Sequence, residues 1–257
     1  MMFDPTLVPF AERLADAAGA AIRPYFRTPF EVEMKSDLSP VTAADRASET
    51  AIRQLIEAHY PDHGIIGEEF GAVRESARFV WVLDPIDGTR AFIAGRPLFG
   101  TLIALLDNGV PVLGIIDQPI AGDRWVGATG RQTLFNGNPA TTRQCPTIAA
   151  AYVGTTSPQA FAPADFDLFE RLRGQVREIL YGGDCHNYGL LASGWLDLVV
   201  ESGLKLHDFA ALVPVIEGAG GIMRDWSGQP LHSRSDGRVI AAGDAGLLAA
   251  AFAALSV

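Results

Sequence analysis

The sequence predicts an α+β fold in layers, and three observations carry that prediction. Apolar residues recur at helical spacing near both ends of the chain. Strand-length apolar runs lie between them, one pair joined as a hairpin. The two patterns interleave over 257 residues, enough chain to bury a large core between packed layers.

Asp4-Pro5 opens the first helix, and Leu7, Phe10, Leu14, Ala18, Ala21, Ile22 and Tyr25 follow at helical spacing. A polar loop, "EVEMKSDLSP", carries Lys35, and its composition leaves open a role as a lid. "TAADRASETAIRQLIEAHY" is a second helix with Ile52, Leu55 and Ile56 facing inward, ended by "YPDHG". Ile65-Ile66 and "FVWVL" (Phe79 to Leu83) read as short strands. "GTLIALLDNGVPVLGIIDQP" reads as a hairpin through Asp107-Asn108-Gly109, because Asn-Gly accepts the positive φ of a two-residue hairpin turn. "DRWVGA" adds another strand.

The apolar pattern lapses around "FNGNPATTRQCPT", which sets a boundary between packed halves of about 1–140 and 141–257 within a single domain. Beyond it, "CHNYGLLASGW" suggests a helix of small residues, and "LDLVV" a buried strand running into Glu201. "DFAALVPVIEGAGG" predicts a helix from Asp208, kinked at Pro214 and stopped by Gly220-Gly221. A strand "RVIAAG" and a helix "AGLLAAAFAAL" close the chain.

Thirty acids against twenty bases give a net charge of -10, which opposes polyanions and suits a site that collects cations. Nucleic acid is therefore not an expected partner. Cys145 and Cys185 form no CxxC or Cys/His cluster, so free thiols in a reducing, cytoplasmic setting are expected. The N-terminus lacks a basic start followed by a long apolar run, and no stretch approaches the ~20 apolar residues of a membrane helix. Neither secretion nor a membrane is expected.

The chemistry concentrates in "VLDPIDGTRAF", Val82 to Phe92. Asp84 and Asp87 close an apolar run, where two carboxylates repel each other unless a cation neutralises them. Glu68 in "IIGEEFG" and Asp208 before "FAALVPVI" have similar settings, and together the four could hold more than one ion. Acids and carbonyls without a His/Cys set select Mg²⁺, with Mn²⁺ as a substitute. Gly88 lets backbone approach a ligand, amides near "TRAF" can bind phosphate, and Thr89 can hydrogen-bond an attacking water. Plain structural readings stand beside these: a turn for Asp84 and Asp87, a strand-end acid for Glu68, and an N-cap for Asp208.

"GEE" (Gly67 to Glu69), "DPIDGT" (Asp84 to Thr89) and "HDFAALVPVIEGAGG" (His207 to Gly221), in this order, resemble the Mg²⁺-dependent inositol monophosphatase-like phosphatases over most of the chain. The resemblance implies an αβαβα sandwich, commonly a homodimer, with two or three Mg²⁺ ions. It implies Glu68, Asp84, Asp87, Asp208 and the Ile86 carbonyl as metal ligands, and Gly88 and Thr89 as the phosphate site. Thr89 paired with Asp45 would activate the water, with Glu68 also in the catalytic set. Asp45 equally completes a capping box with Thr42, and both roles can hold. Lys35 matches a loop lysine near the metals. His207 stands where the family usually has Trp, which leaves packing and a catalytic role both open.

Within the family, "DPIDGTRAFIAGRPLFGTLIALL", "GIIDQPI", "RWVG" and "GGDCHNYGLLASGWLDLVVESGL" resemble the histidinol-phosphate phosphatases of histidine biosynthesis. Histidinol phosphate carries an ammonium and an imidazole, so its pocket should offer carboxylates beyond those on the metals. The resemblance supplies Glu201 as a substrate contact and puts Asp184 in a stretch lining the same pocket, alongside Asp87 and Asp208. Asp184 also reads as a turn residue after Gly182-Gly183, and Asn187 as a helix cap. The rivals are the same chemistry on inositol monophosphate or another small ester, and a protein-interaction role with dispensable activity.

Overall fold

A computed structural model describes residues 4, 6–29, 32–34 and 40–255; Lys35 and the lid role of its segment lie outside them, while Val32–Met34, expected as part of that loop, instead pairs as a strand with Pro40–Thr42. The helices Leu7–Ile22 and Ala43–His59 pack against each other over one face of an eight-stranded sheet. Their buried stripes, Leu7, Phe10, Leu14 and Ala18 on the first and Ile52 and Ile56 on the second, are the residues spaced for that face. Across the sheet the strands run Asn138–Pro139, Leu134–Phe135, Asp123–Ala128, Val110–Gln118, Gly100–Asp107, Phe79–Asp87, Gly64–Gly67, Gly71–Val73.

The strand Phe79–Asp87 shows why the sheet is covered on both sides. Trp81 and Leu83 join the cluster under the first two helices, while Val80 and Val82 join a second cluster on the opposite face. The hairpin forms as the sequence predicts: Asp107 pairs with Val110 around Asn108 and Gly109, at φ 50° and 81°. A middle layer of helices, His186–Ala192, Leu206–Phe209 and Leu212–Gly218, packs on that second face.

Behind the middle layer lies a five-stranded sheet in the order Glu178–Tyr181, Tyr152–Thr155, Leu198–Glu201, Val239–Ala242, Ile222–Arg224. Val199 and Ala241 face the middle layer, and Leu198, Val200, Ile240 and Ala242 face outward. There the helices Pro163–Arg173 and Ala245–Leu255 cover them. The layers are therefore αβαβα. No helix among the described residues is long and apolar enough to cross a membrane.

The middle helices lie unusually close to the first sheet because two strand positions lack side chains. A Cβ on Gly114 would stand 1.9 Å from the Ala211 carbonyl oxygen, and one on Gly127 2.3 Å from that of Pro214.

Two expectations for this region are corrected. The helix expected from Asp208 begins at Leu206 and breaks at Ala210 and Ala211, so Asp208 is the third helical residue and not the cap. Pro214 does not kink it, because Pro214 falls in the first turn of Leu212–Gly218, where its missing N–H has no intrahelical partner to lose. The helix Pro163–Arg173 and the strands Tyr152–Thr155, Glu178–Tyr181 and Ile222–Arg224 have no counterpart in the sequence prediction.

Candidate active site

Asp84 and Asp87 are an odd number of residues apart, so a regular strand would turn them to opposite faces. A β-bulge prevents this: Asp84 pairs with Leu102 and Asp87 with Gly100, leaving an extra residue on the strand carrying the acids. Pro85 has no N–H for the ladder, and its carbonyl instead accepts the Thr101 hydroxyl at 2.8 Å. The result is that Asp84, Asp87 and Asp208 bring carboxylate oxygens within 4.8 Å of one another, and Asp84 shares a second such group with Glu68 and His207.

Glu68 follows the strand Gly64–Gly67, and its position is fixed by a residue that the sequence reading missed. Glu49 is fully buried, accepts the Glu69 and Phe70 amides at 2.8 and 3.2 Å, and pairs with Arg53 at 2.7 Å. It thus clamps the turn that carries Glu68; the Glu49/Arg53 spacing of four on a helix was the available signal. Asp208 accepts the Lys205 amide at 2.7 Å, which holds its carboxylate at the head of a short helix.

Asp45 forms the predicted capping box. Its Oδ2 accepts the Thr42 amide at 2.8 Å and the Thr42 hydroxyl at 2.6 Å, while its Oδ1 is buried without a hydrogen-bond partner. Thr89 donates its hydroxyl to the Ile86 carbonyl at 3.0 Å. No hydrogen bond joins Thr89 to Asp45; each is engaged in its own turn. Gly88 has φ 87° and heads the helix Thr89–Ile93, whose first amides have no intrahelical acceptor.

A cleft of about 550 Å³ opens over these residues, lined by Glu68, Asp87, Gly88, Thr89, Asp184 and Asp208 among others. It meets a second hollow of about 490 Å³ that adds Thr155, Phe161, Tyr188 and Glu201. Asp184 follows Gly182 and Gly183 in a turn of three consecutive positive φ angles, 84°, 107° and 44°. Glu201 continues the alternation of its strand, so that it faces the middle layer as Val199 does. Its Oε1 accepts the Thr156 amide and hydroxyl at 2.9 and 2.5 Å, and its Oε2 the Tyr188 hydroxyl at 2.9 Å. Asn187 is buried and donates to the Gly182 carbonyl at 2.9 Å, bracing that turn.

Arg90, inside "VLDPIDGTRAF" but not singled out from sequence, lines both hollows and is the cation whose charge favours the Asp184 anion. Burial, moderated by Arg90, pushes the Asp184 carboxyl up to about 6, and burial against the Thr156 and Tyr188 hydrogen bonds leaves Glu201 at about 7. Burial and then the neighbouring acids raise Asp84 well above the carboxylate range, with Glu68, Asp87 and Asp208 all repelling its charge. Asp87 is raised by burial and by Asp184 and Asp208, although the Cys185 amide at 2.6 Å favours its anion.

The cluster fits a divalent cation. Asp84 Oδ1 is buried with no hydrogen-bond partner, amid carboxylates that raise one another's pKa, and a cation would relieve both conditions. The donor set is mainly oxygen, which suits a hard ion.

The sequence matches the family described as "Inositol monophosphatase family" over residues 5–256. It is 55% identical over 218 residues to the bifunctional phosphatase IMPL2, chloroplastic, of Arabidopsis thaliana, covering 84% of this chain but 63% of that protein, so the match spans less than two thirds of the relative's length. The histidinol-phosphatase of Chlorobaculum parvum is 36% identical over 233 residues, 90% of each chain. Among solved structures, an inositol monophosphatase from Zymomonas mobilis superposes with a TM-score of 0.90 at 54% identity over 97% of both chains.

Proposed function

We propose that this chain, which belongs to the inositol monophosphatase family of phosphatases, hydrolyses L-histidinol phosphate to L-histidinol and phosphate. The observation that carries the substrate reading is the pair of carboxyls, Asp184 and Glu201, lining the cleft beyond the acidic cluster. An ester bearing an ammonium and an imidazole gains charge-assisted hydrogen bonds there that a neutral polyol does not. The histidinol-phosphatase relative supports the reading.

Glu68, Asp84, Asp87, Asp208 and the Ile86 carbonyl would hold Mg²⁺, with Mn²⁺ as a substitute. Bound there, the cation supplies neutralising charge for the phosphate and a water of lowered pKa. Gly88 and Thr89 present backbone amides to the phosphate oxygens. The Thr89 hydroxyl turns from the Ile86 carbonyl to hold the water, and Asp45 Oδ1, buried without a partner, accepts the proton. Glu49 keeps Glu68 in register throughout. We further take the protein to act in the cytoplasm as a homodimer, on the sequence resemblance and cysteine usage alone.

A second reading, inositol monophosphate as substrate, is favoured by the name of the 54% identical Zymomonas structure. Phosphate release from the two esters side by side, with and without Mg²⁺, separates them. A preference for inositol 1-phosphate would overturn the histidinol reading.

Asp184→Ala sharpens the comparison. Losing this carboxyl removes an anion that meets the cationic part of the substrate, so KM for histidinol phosphate should rise about tenfold or more, on the scale of a lost charge-assisted hydrogen bond. KM for inositol 1-phosphate should change little; equal losses would remove Asp184 from the specificity argument.

Glu201 predicts a pH signature. With its carboxyl at about 7, the anion that attracts a cationic ester is present above that pH and lost below it. KM for histidinol phosphate should therefore climb as pH falls through 7, and Glu201→Gln should flatten that limb. Inositol 1-phosphate serves as the control for any pH effect on the metal; a matching limb with it would refute the assignment.

A further inference from the structure

We infer that His207 is a further ligand of the cation held by Glu68 and Asp84, which gives this chain a nitrogen donor and a stronger preference for Mn²⁺ over Mg²⁺ than carboxylates alone would confer. This rests on reading the acidic cluster as a metal site. Ligand atoms of Glu68, Asp84 and His207 lie within 4.8 Å of one another, and the His207 side chain is only 12% exposed. Independently, Asp84 Oδ1 is buried and has no hydrogen-bond partner, a condition that a bound cation would relieve.

His207 Nε2 also stands 3.5 Å from Asp208 Oδ1, which is long for a hydrogen bond and leaves the ring free to serve a different acceptor of its lone pair. The other four histidines are placed elsewhere. His59 packs against Phe10, His63 stacks with Tyr60 and Trp81, His186 lies beside Asp123 and Trp125, and His232 accepts the Arg234 amide. An imidazole added to carboxylates moves metal preference away from Mg²⁺ and toward transition ions, since Mg²⁺ favours oxygen and dehydrates reluctantly.

Pulsed EPR of the full chain loaded with Mn²⁺ reads a directly bound nitrogen without reference to activity. The wild type should show ¹⁴N coupling, and both His207→Gln and His207→Trp should lose it. Calorimetric titration should find Mn²⁺ affinity down about tenfold or more in these variants, on the scale of disturbing a metal's ligand shell, with Mg²⁺ affinity falling by a smaller factor. Mn²⁺ bound to the wild type without nitrogen coupling would overturn the inference and leave the carboxylate site intact. Mn²⁺ binding that Asp84→Asn leaves unchanged would instead overturn the metal-site reading itself. The wild-type spectrum decides the point even if the variants fold poorly.

Discussion

Asp84→Asn should lower phosphate release by about a thousandfold or more, the scale of losing a principal electrostatic stabiliser, while raising the melting temperature of the metal-free protein. The two effects have one cause. In the metal-free fold the Asp84 carboxyl is buried beside three other acids, and its pKa stands well above the ordinary value. The folded state therefore binds a proton more tightly than the unfolded chain does. An acid raised in this way destabilises the fold as pH climbs from its unfolded pKa, about 4, toward its folded one. Asparagine imitates the protonated acid and removes that penalty at neutral pH. Each kcal/mol recovered should appear as about 2–4 °C in Tm for a chain of this size. Mg²⁺ should raise the Tm of the wild type more than that of the variant. A variant that loses activity and also melts lower without metal would show that Asp84 is needed for the fold and would sink the argument.

Gly114→Ala should be among the most damaging single methyl additions to the described residues. The added Cβ meets the Ala211 carbonyl at 1.9 Å, and a backbone atom cannot rotate aside as a side chain would. The cost should exceed the about 1–3 kcal/mol of ordinary overpacking, lowering Tm by roughly 10 °C, and relief requires the middle helices to move off the sheet. Asp208 lies just before that contact, so any folded variant should also bind Mg²⁺ less tightly. Gly174→Ala is the control: the nearest atom stands 3.6 Å away, and little change in Tm is expected. Equal melting temperatures for the two variants would refute the close-approach account.

What was legible in the sequence was what local pattern encodes. The first two helices, the Asn-Gly hairpin, the closing strand and helix, and the layered α+β class followed from periodicity and turn chemistry. Misses came where tertiary packing overrides local signals. Strand Glu178–Tyr181 is largely exposed and marked only by the short run Ile179-Leu180-Tyr181, and helix Pro163–Arg173 carries acids and bases that mask its buried stripe. The break at Ala210 and Ala211 has no signature, because alanine favours helix; it falls where the Ala211 carbonyl lies against Gly114 of the first sheet. At the site, spacing suggested that Asp84 and Asp87 act together, but only the bulge explains how an odd spacing can do so. Glu49 left only its helical spacing from Arg53 as a signal, and Arg90 and Tyr188 left none, because the importance of all three lies in partners distant in sequence. His207 was visible as a departure from the family pattern, and its meaning waited on the positions of Glu68 and Asp84.

The order in which the acids occur along the chain also has a consequence for biosynthesis. Asp84 and Asp87 belong to the first sheet and Glu68 to the turn after one of its strands, whereas Asp208 stands more than a hundred residues later, beyond most of the strands of the second. At ribosomal rates of about 5–20 residues per second, roughly 6–24 s separate synthesis of Asp87 from that of Asp208. Throughout that interval a nascent first half holds mutually repelling carboxylates whose last companion does not yet exist. Tight cation capture should therefore coincide with docking of the later strands, so that acquisition of the ion reports that the two sheets have come together.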